Sequence, residues 1–238
     1  MEYIIFALIY IVTIVLLVLY FMRREARLKE REAEIVKETR LSILHKLRPH
    51  FIFNCLTALG TKCLMGAGNP KAMEEVDRGI VQFSAYSRAM FKLIEGEKTN
   101  FFPQELNDIR NYFALEQLRF GDKLRFEEEI EVTEFYLPYM GVLEFVENAI
   151  KHGISKRTEG GTVRLVVKKH EENKIRILVE DDGVGFDMSI LDNHEKCVGI
   201  NELKAHFAEV SGTVTIESTP GGGTTVEIVM PWIKGLDK

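Results

Sequence analysis

The spacing of hydrophobic residues changes near Gly121, and this change constrains the fold more than any other feature of the sequence. Before it, a seam with alternating three- and four-residue steps is typical of a packed helix: Met73, Val76, Ile80, Phe83, Ser87, Met90 and Ile94. After it, apolar and polar residues alternate as in half-buried strands: Val163, Leu165 and Val167, then Ile175, Ile177 and Val179. The sequence therefore predicts a helical half followed by an α/β half.

Three helices are predicted in the first half, over about residues 41–65, from Pro70 onward, and over about 103–119. Between the first two, Asn69 can cap the second helix and Pro70 suits its first position. This antiparallel hairpin has more apolar surface than two helices can bury between themselves. We therefore expect a second copy of the chain to complete a four-helix bundle.

The second half is predicted to be a two-layer α/β sandwich with helices on one face of a mixed sheet. Helices are expected from Leu143 to Ile154 and over about 199–210. Two further strands, Thr213 to Glu217 and Thr225 to Val229, flank a glycine-rich turn.

An uncharged apolar run extends from Ile4 to Met22. About 19 helical residues span ~28 Å, close to the thickness of a hydrocarbon core. A signal peptide is the competing interpretation, but the basic residues come after the run and no small-residue cleavage site is present there. By the positive-inside rule, these basic residues predict that the part of the chain after the apolar run lies in the cytoplasm. They are Arg23, Arg24, Arg27 and Lys29. We expect a single-pass anchor in membrane lipid at 1–22, then a signalling or linker helix at 23–40.

Charge and cysteine content exclude several classes of protein. The net charge is −5 and no basic stripe is present, so direct binding of nucleic acid is not expected. The three cysteines lack the spacing of a zinc site or a disulfide framework. We interpret Cys55, Cys63 and Cys197 as reduced thiols, with the first two in the helical core.

The segment Glu147-Asn-Ala-Ile-Lys-His-Gly153 carries the first candidate chemistry. At helical spacing, Asn148, Lys151 and His152 share one face. An amide oxygen, an ammonium group and an imidazole suit a magnesium-bound triphosphate. The alternative is the polar face of an amphipathic helix.

Asp181-Asp-Gly183-Val-Gly185 comes directly after an apolar strand. A carboxylate at a strand end can accept a hydrogen bond from an exocyclic amine such as that of adenine, and the glycines leave room for a flat ring. A tight turn is the alternative. The later Gly221-Gly-Gly223-Thr224 is explained equally well by a hairpin turn.

The order and spacing of EFVENAIKHGI, VEDDGVGFD, VGINEL and GGGTTVEIVMP resemble the GHKL ATP-binding domain that histidine kinases share with Hsp90, gyrase B and MutL. The resemblance covers about residues 123–232. It implies that Asn148 chelates Mg²⁺, that Lys151 and His152 approach the phosphates, and that Asp181 holds the adenine amine. Gly183 and Gly185 would form the pocket floor, residues 186–198 a mobile lid, and the remaining ATP contacts would be Gly199, Gly223 and Thr224.

Upstream, the segment from Pro49 to Asn54 looks like the PHFxFN box of LytS/YesM-type sensor histidine kinases. The stretches FPQEL from Phe102 and EQLRF from Glu116 also resemble that family. The resemblance implies that His50 is the phospho-acceptor and that a response-regulator aspartate then takes the phosphate. A neutral imidazole is a competent nucleophile, and Asn54, one turn later, could orient it. Residues 41–121 would be the dimerisation and phosphotransfer domain, and 122–234 the catalytic domain.

Cys197 and Glu202 depart from the family, whose second glycine box usually has Gly and Asn at these positions. The general base is unassigned, with Glu144 and Glu147 as candidates. Two alternatives stay open beside the kinase: a non-catalytic dimeric membrane scaffold with a degenerate nucleotide pocket, and a GHKL ATPase. The signal could enter through the transmembrane helix, a partner membrane protein or a cytosolic ligand.

Overall fold

The computed structural model describes residues 48–192 and 197–235. The predicted membrane anchor at 1–22, the linker at 23–40 and the start of the first predicted helix lie outside these described residues. In the part that is described, no helix combines the length and apolar character needed to cross a bilayer. The described residues from His50 onward belong to one compact unit.

The described helices and strands have the predicted order of a helical half and then an α/β half. The α-helices are α1 (Pro49–Met65), α2 (Pro70–Glu95), α3 (Phe102–Phe120), α4 (Gly141–Asn148) and α5 (Val198–Glu209). The strands are β1 (Thr99–Phe101), β2 (Leu124–Ile130), β3 (Tyr136–Pro138), β4 (Gly161–His170), β5 (Lys174–Asp181), β6 (Thr213–Ser218) and β7 (Thr224–Pro231). A π-helix at Ala149–Gly153 continues α4, and short 3₁₀ helices lie at Gly121–Lys123, Ile154–Lys156 and Met188–Asp192.

The turn between α1 and α2 forms as the sequence predicts. The Asn69 side chain accepts a hydrogen bond from the Lys71 N–H at 3.1 Å, and Pro70 begins α2. Gly79 lets the two helices approach closely, because a Cβ there would lie 2.5 Å from Leu59 Cδ2.

The buried face of α1 differs from the predicted one. Helical spacing in the sequence puts Ile52, Leu56 and Leu59 on one apolar stripe, away from His50. In the structure, Phe51, Cys55 and Leu59 are buried and Leu56 is exposed. The prediction that Cys63 is a core residue is also wrong, since its side chain is exposed. Beyond Leu59, an ion pair between Lys62 and Glu75 joins α1 to α2 in place of apolar packing.

Only part of the predicted α2 seam is buried. Val76 and Met90 are buried, whereas Met73 and Ile80 remain exposed. Further exposed apolar side chains along α1 and α2 are Phe53, Leu64, Met65, Val81 and Phe91. The hairpin therefore keeps an apolar surface that the described residues do not cover.

The main sheet has five strands in the order β2-β4-β5-β7-β6, and it is mixed as predicted. Strands β2 and β4 are parallel, and all other neighbours are antiparallel. Its apolar face is made of residues such as Leu165, Val179 and Val226, which are paired across β4, β5 and β7. The other face is charged, with ion pairs such as Arg164 to Glu129 at 2.8 Å.

The sequence did not predict β1, β2 or β3. Strand β2 lies at the edge of the sheet, and Glu127, Glu128 and Glu129 interrupt the apolar alternation there. Strands β1 and β3 pair only with each other and are too short for periodicity to identify.

Candidate functional site

A cavity of about 410 Å³ lies beside the end of β5, and its size is in the usual range for small-molecule sites. One wall is α4 with its π-helical continuation, which contributes Phe145, Asn148, Ala149 and His152. The opposite walls come from the loop after β5, from α5 and from the strands β6 and β7. Most of the lining is apolar, with a few polar groups at defined positions, and this combination suits a flat heterocycle with a charged tail.

Asp181 contributes a carboxylate to the lining of the cavity. Its Oδ1 accepts a hydrogen bond from the Gly183 N–H at 2.8 Å. Partial burial raises the pKa of Asp181 to about 6, and hydrogen bonds from Gly183 and from the Thr224 hydroxyl oppose the rise. The carboxyl is therefore mostly ionised at neutral pH and can accept a hydrogen bond from an amine. Thr224 lines the same cavity.

Close backbone contacts explain the glycines around Asp181. A Cβ on Gly183 would lie 2.4 Å from the Gly153 Cα, and a Cβ on Gly153 would lie 2.5 Å from the Asp181 Oδ1, so a side chain at either position would crowd this contact. Gly185 has a φ of +58° and lines the cavity, whereas Gly183 and Gly223 lie outside its lining. A Cβ on Gly223 would lie 1.9 Å from the Asp181 carbonyl oxygen.

The predicted helix from Leu143 to Ile154 is not uniform. It begins earlier, at Gly141, and changes from α to π directly after Asn148. Asn148 and His152 line the cavity, but Lys151 is exposed and lies outside the lining. Helical spacing was expected to place all three on one face, and the wider π-helical turn changes that spacing.

Lys156 lines the cavity, and sequence reasoning missed it. It lies in a 3₁₀ turn after the π-helix, so no regular spacing from Asn148 pointed to it. Burial lowers the pKa of His152, and the positive charges of Lys151 and Lys156 lower it further. This lowering favours the neutral imidazole of His152, and the lysines supply the positive charge near the cavity.

The segment predicted to be a lid contributes four of its described residues to the cavity. Phe186, Ile190, Leu191 and Cys197 all belong to the lining, as does Gly199 at the start of α5. The Cys197 thiol is buried and donates a hydrogen bond to the Ile190 carbonyl at 3.3 Å. The two residues that depart from the family pattern thus differ in position. Cys197 lies in the cavity wall, whereas Glu202 is exposed and outside the lining.

A magnesium ion bound with a nucleotide fits the groups that are present. Mg²⁺ usually takes one or two protein oxygens and completes its shell with water and phosphate. Asn148 is half-buried and offers an amide oxygen to the cavity. Among the described residues, no cluster of three or more His, Cys, Asp or Glu side chains could hold a metal by itself. The site thus suits a metal that arrives with phosphate.

His50, the predicted phospho-acceptor, is exposed on α1 and is not part of the cavity lining. The Asn54 Nδ2 lies 3.1 Å from the His50 Nδ1. If the Asn54 amide donates to Nδ1, it favours the His50 tautomer that carries its proton on Nε2. If the amide is rotated by 180°, its oxygen accepts from Nδ1 and favours the tautomer with the proton on Nδ1. Asn54 is thus placed to orient the ring and to select its tautomer.

A buried carboxylate lies near His50. Glu116 accepts hydrogen bonds from the Tyr112 hydroxyl at 3.2 Å and from Arg119 at 3.1 Å. Burial raises the pKa of Glu116, and Arg119, Tyr112 and the charge of His50 oppose the rise. The two residues that the sequence suggested as bases, Glu144 and Glu147, do not line the cavity.

Two family models match the chain. The model for histidine kinases matches residues 40–124. The model for histidine kinase-, DNA gyrase B- and HSP90-like ATPases matches residues 137–233. Together they cover α1 to α3 and then the strands β4 to β7 with the cavity, whereas nearly all of β2 lies between the two matches.

Three curated relatives have similar sequences. YwpD of Bacillus subtilis (strain 168) is 30% identical over 192 residues, which cover 78% of this chain and 67% of YwpD. The sensor histidine kinase YpdA of Escherichia coli (strain K12) is 33% identical over 168 residues, or 70% of this chain and 28% of YpdA. The sensor histidine kinase/phosphatase LytS of Staphylococcus aureus is 28% identical over 214 residues, or 87% of this chain and 32% of LytS. The chain thus spans about a third or less of the two sensor kinases.

Proposed function

Because the chain belongs to the LytS-type sensor histidine kinases, we propose that it uses ATP to phosphorylate its own His50 and then passes the phosphate to an aspartate of a response regulator. The observation that carries this proposal is the pairing of two sites in one compact unit. One is a nucleotide-sized cavity with Asp181 in its lining, and the other is an exposed histidine that contacts Asn54.

The chain's own groups suggest how each part of ATP is held. Asp181 accepts a hydrogen bond from the adenine amine, and the apolar walls pack against the ring. Lys156 and the neutral His152 face the phosphates, and Lys151 adds positive charge from outside the lining. Asn148 holds Mg²⁺, which neutralises phosphate charge when bound. As in other phosphoryl transfers, we expect positioning and charge neutralisation to supply most of the catalysis.

His50 acts as the nucleophile in this proposal. One ring nitrogen attacks the γ-phosphorus. The bond between the γ-phosphorus and the oxygen that bridges it to the β-phosphorus then breaks, and ADP leaves with that oxygen. Since His50 does not line the cavity, the nucleotide-binding residues and α1 must approach each other before transfer. Asn54 keeps the imidazole in one orientation during that approach.

We further propose that the protein is a homodimer anchored in the cell membrane by residues 1–22, with its remaining domains in the cytoplasm. The exposed apolar side chains of α1 and α2, such as Ile80 and Val81, support a dimer because a second hairpin would bury them. The uncharged apolar run and the basic residues after it support the anchor. Membrane lipid and a membrane sensor protein are the partners proposed for the anchor.

The test incubates the full chain with γ-labelled ATP and Mg²⁺ and then challenges the product with acid or alkali. We expect label that survives alkali and is lost in acid, as phosphohistidine behaves. His50→Gln should abolish the label but retain ATP binding. His206→Gln, which changes an exposed histidine of α5, is the matched control and should label normally.

The same experiment separates the alternatives. Label on the His50→Gln protein would contradict the acceptor assignment. ATP binding without label would favour the scaffold, for which the altered Cys197 in the cavity wall is the supporting observation. Phosphate release without a phosphoprotein would favour the ATPase.

A further inference from the structure

A buried aromatic cluster connects the helix of His50 to the helix of Asn148. It consists of Phe51, Tyr86 and Tyr112, one residue each from α1, α2 and α3. The ring centroid of Phe51 lies 4.8 Å from that of Tyr86 and 5.0 Å from that of Tyr112. Phe51 is the residue directly after His50, so packing in this cluster sets the position of the phospho-acceptor's helix.

One hydroxyl of the cluster reaches the nucleotide-binding helix. Tyr86 donates a hydrogen bond to the Glu147 Oε1 at 3.0 Å, between residues 61 positions apart in the sequence. Tyr86 is 1% exposed and Glu147 is 6% exposed. A buried carboxylate that loses a donor is strongly disfavoured, so these two side chains should move together.

Glu147 lies at a sensitive point of the nucleotide site. It directly precedes Asn148, and the helix changes from α to π immediately after Asn148. Asn148 lines the cavity and Glu147 does not, so adjacent residues face the nucleotide site and the aromatic cluster respectively. π-helical turns are often found at functional sites. The hydrogen bond from Tyr86 is made to the residue directly before Asn148, so it is placed to hold the turn that brings Asn148 to the cavity.

We propose that Tyr86 is a positioning residue for phosphoryl transfer, and that it couples nucleotide binding at Asn148 to the placement of α1. Tyr86 acts through Glu147 at one end and through Phe51 at the other. The proposal rests on the function proposed above. Spatial connection alone does not establish coupling, so the test measures coupling directly.

The kinetic test uses variants of the full chain. Tyr86→Phe keeps the ring and removes the hydroxyl, Glu147→Leu removes the acceptor, and Glu147→Gln keeps an acceptor oxygen. Tyr139→Phe is the matched control, because it removes a buried hydroxyl that bonds the Ala89 carbonyl and not Glu147. We measure the rate of His50 labelling at saturating ATP and, separately, the affinity for ATP.

We expect Tyr86→Phe and Glu147→Leu each to lower the labelling rate at least tenfold while ATP affinity changes less than twofold. The double variant should be no slower than either single variant, because both remove the same bond. Glu147→Gln and Tyr139→Phe should keep more than a third of the rate. The proposal would be overturned if Tyr86→Phe labelled at the normal rate. It would also be overturned if the rate reduction of the double variant equalled the product of the reductions of the two single variants.

A second measurement does not depend on kinase activity. Amide hydrogen exchange is monitored in Pro49–Met65 with and without ADP and Mg²⁺. We expect nucleotide to change exchange there in the unmodified protein and in Tyr139→Phe, but not in Tyr86→Phe. If the unmodified protein binds nucleotide yet takes up no label, the proposed function fails and this measurement still decides the coupling. The coupling would be refuted if nucleotide did not change hydrogen exchange in α1 of the unmodified protein. It would also be refuted if nucleotide changed that exchange equally in Tyr86→Phe.

Discussion

Glu105 accepts a hydrogen bond from the backbone N–H of Leu143 at 3.1 Å, and so α3 caps the first turn of α4. The same carboxylate accepts the N–H groups of Val142 at 3.1 Å and Met140 at 3.0 Å. These are donors that a helix start leaves without an intrahelical partner. Burial raises the pKa of Glu105 to about 7, and the hydrogen bonds from Leu143, Asn100 and Met140 oppose the rise.

Glu105→Ala should therefore destabilise the protein strongly. It leaves three buried N–H groups without their acceptor, and each such loss costs about 1–3 kcal/mol. We expect the free energy of unfolding to fall by about 3 kcal/mol or more in chemical denaturation. Asn107→Ala on the exposed side of α3 is the control and should stay within about 0.5 kcal/mol. Equal effects of the two changes would show that the cap is not important.

The affinity for ATP should fall as the pH drops below about 6. Burial raises the pKa of Asp181 to about 6, so the carboxylate form, which we propose accepts the adenine amine, is lost below that pH. One pH unit below the pKa, affinity should be about tenfold lower. Asp181→Asn should bind weakly at every pH and retain only the pH dependence of the phosphates. Titration calorimetry at several pH values measures this, and an unmodified protein with the same pH profile as the variant would contradict it.

Lys156 should contribute more to ATP binding than Lys151. Lys156 lines the cavity and Lys151 does not. Loss of one charge-assisted phosphate contact corresponds to roughly a tenfold weaker affinity. We expect Lys156→Ala to weaken ATP binding about tenfold and Lys151→Ala to weaken it less than threefold, as measured by competition with a fluorescent nucleotide. The reverse order would mean that the π-helical turn does not direct Lys151 away from the phosphates.

Two glycines of one turn should respond differently to the same substitution. Gly221 and Gly223 both have positive φ, +79° and +78°, so alanine is strained at either position by about 1–2 kcal/mol. A Cβ on Gly221 meets open space, whereas one on Gly223 would lie 1.9 Å from the Asp181 carbonyl. Gly223→Ala should therefore displace Asp181 and abolish measurable ATP binding, while Gly221→Ala should bind ATP normally. Normal binding by the Gly223 variant would disprove the close contact.

Local patterns in the sequence were sufficient for most of the secondary structure. Asn69 and Pro70 begin α2 as predicted, since capping depends on a few adjacent residues. The alternation around Ile177 identifies a strand because one face of the sheet is buried. The edge strand β2 was missed because Glu127 to Glu129 replace that alternation with charge.

The candidate site was predictable where a residue type is required by chemistry or by backbone geometry. Asp181, Asn148, His152 and Gly185, which the sequence motifs proposed as ATP contacts, all line the cavity. Lys156 was missed because it enters the cavity after a change of helix type that no short motif specified.

The sequence by itself determined that a helical half precedes an α/β half, and it supplied the candidate nucleotide contacts Asn148 and Asp181 and the candidate phospho-acceptor His50. Only the tertiary structure decided that Phe51 rather than Ile52 is buried, that Tyr86 bonds Glu147, and that Lys156 rather than Lys151 lines the cavity. The physical reason is that local helix geometry allows either of two neighbouring residues to be the buried one or the one that lines the cavity. Contacts between residues far apart in the chain decide which of the two it is.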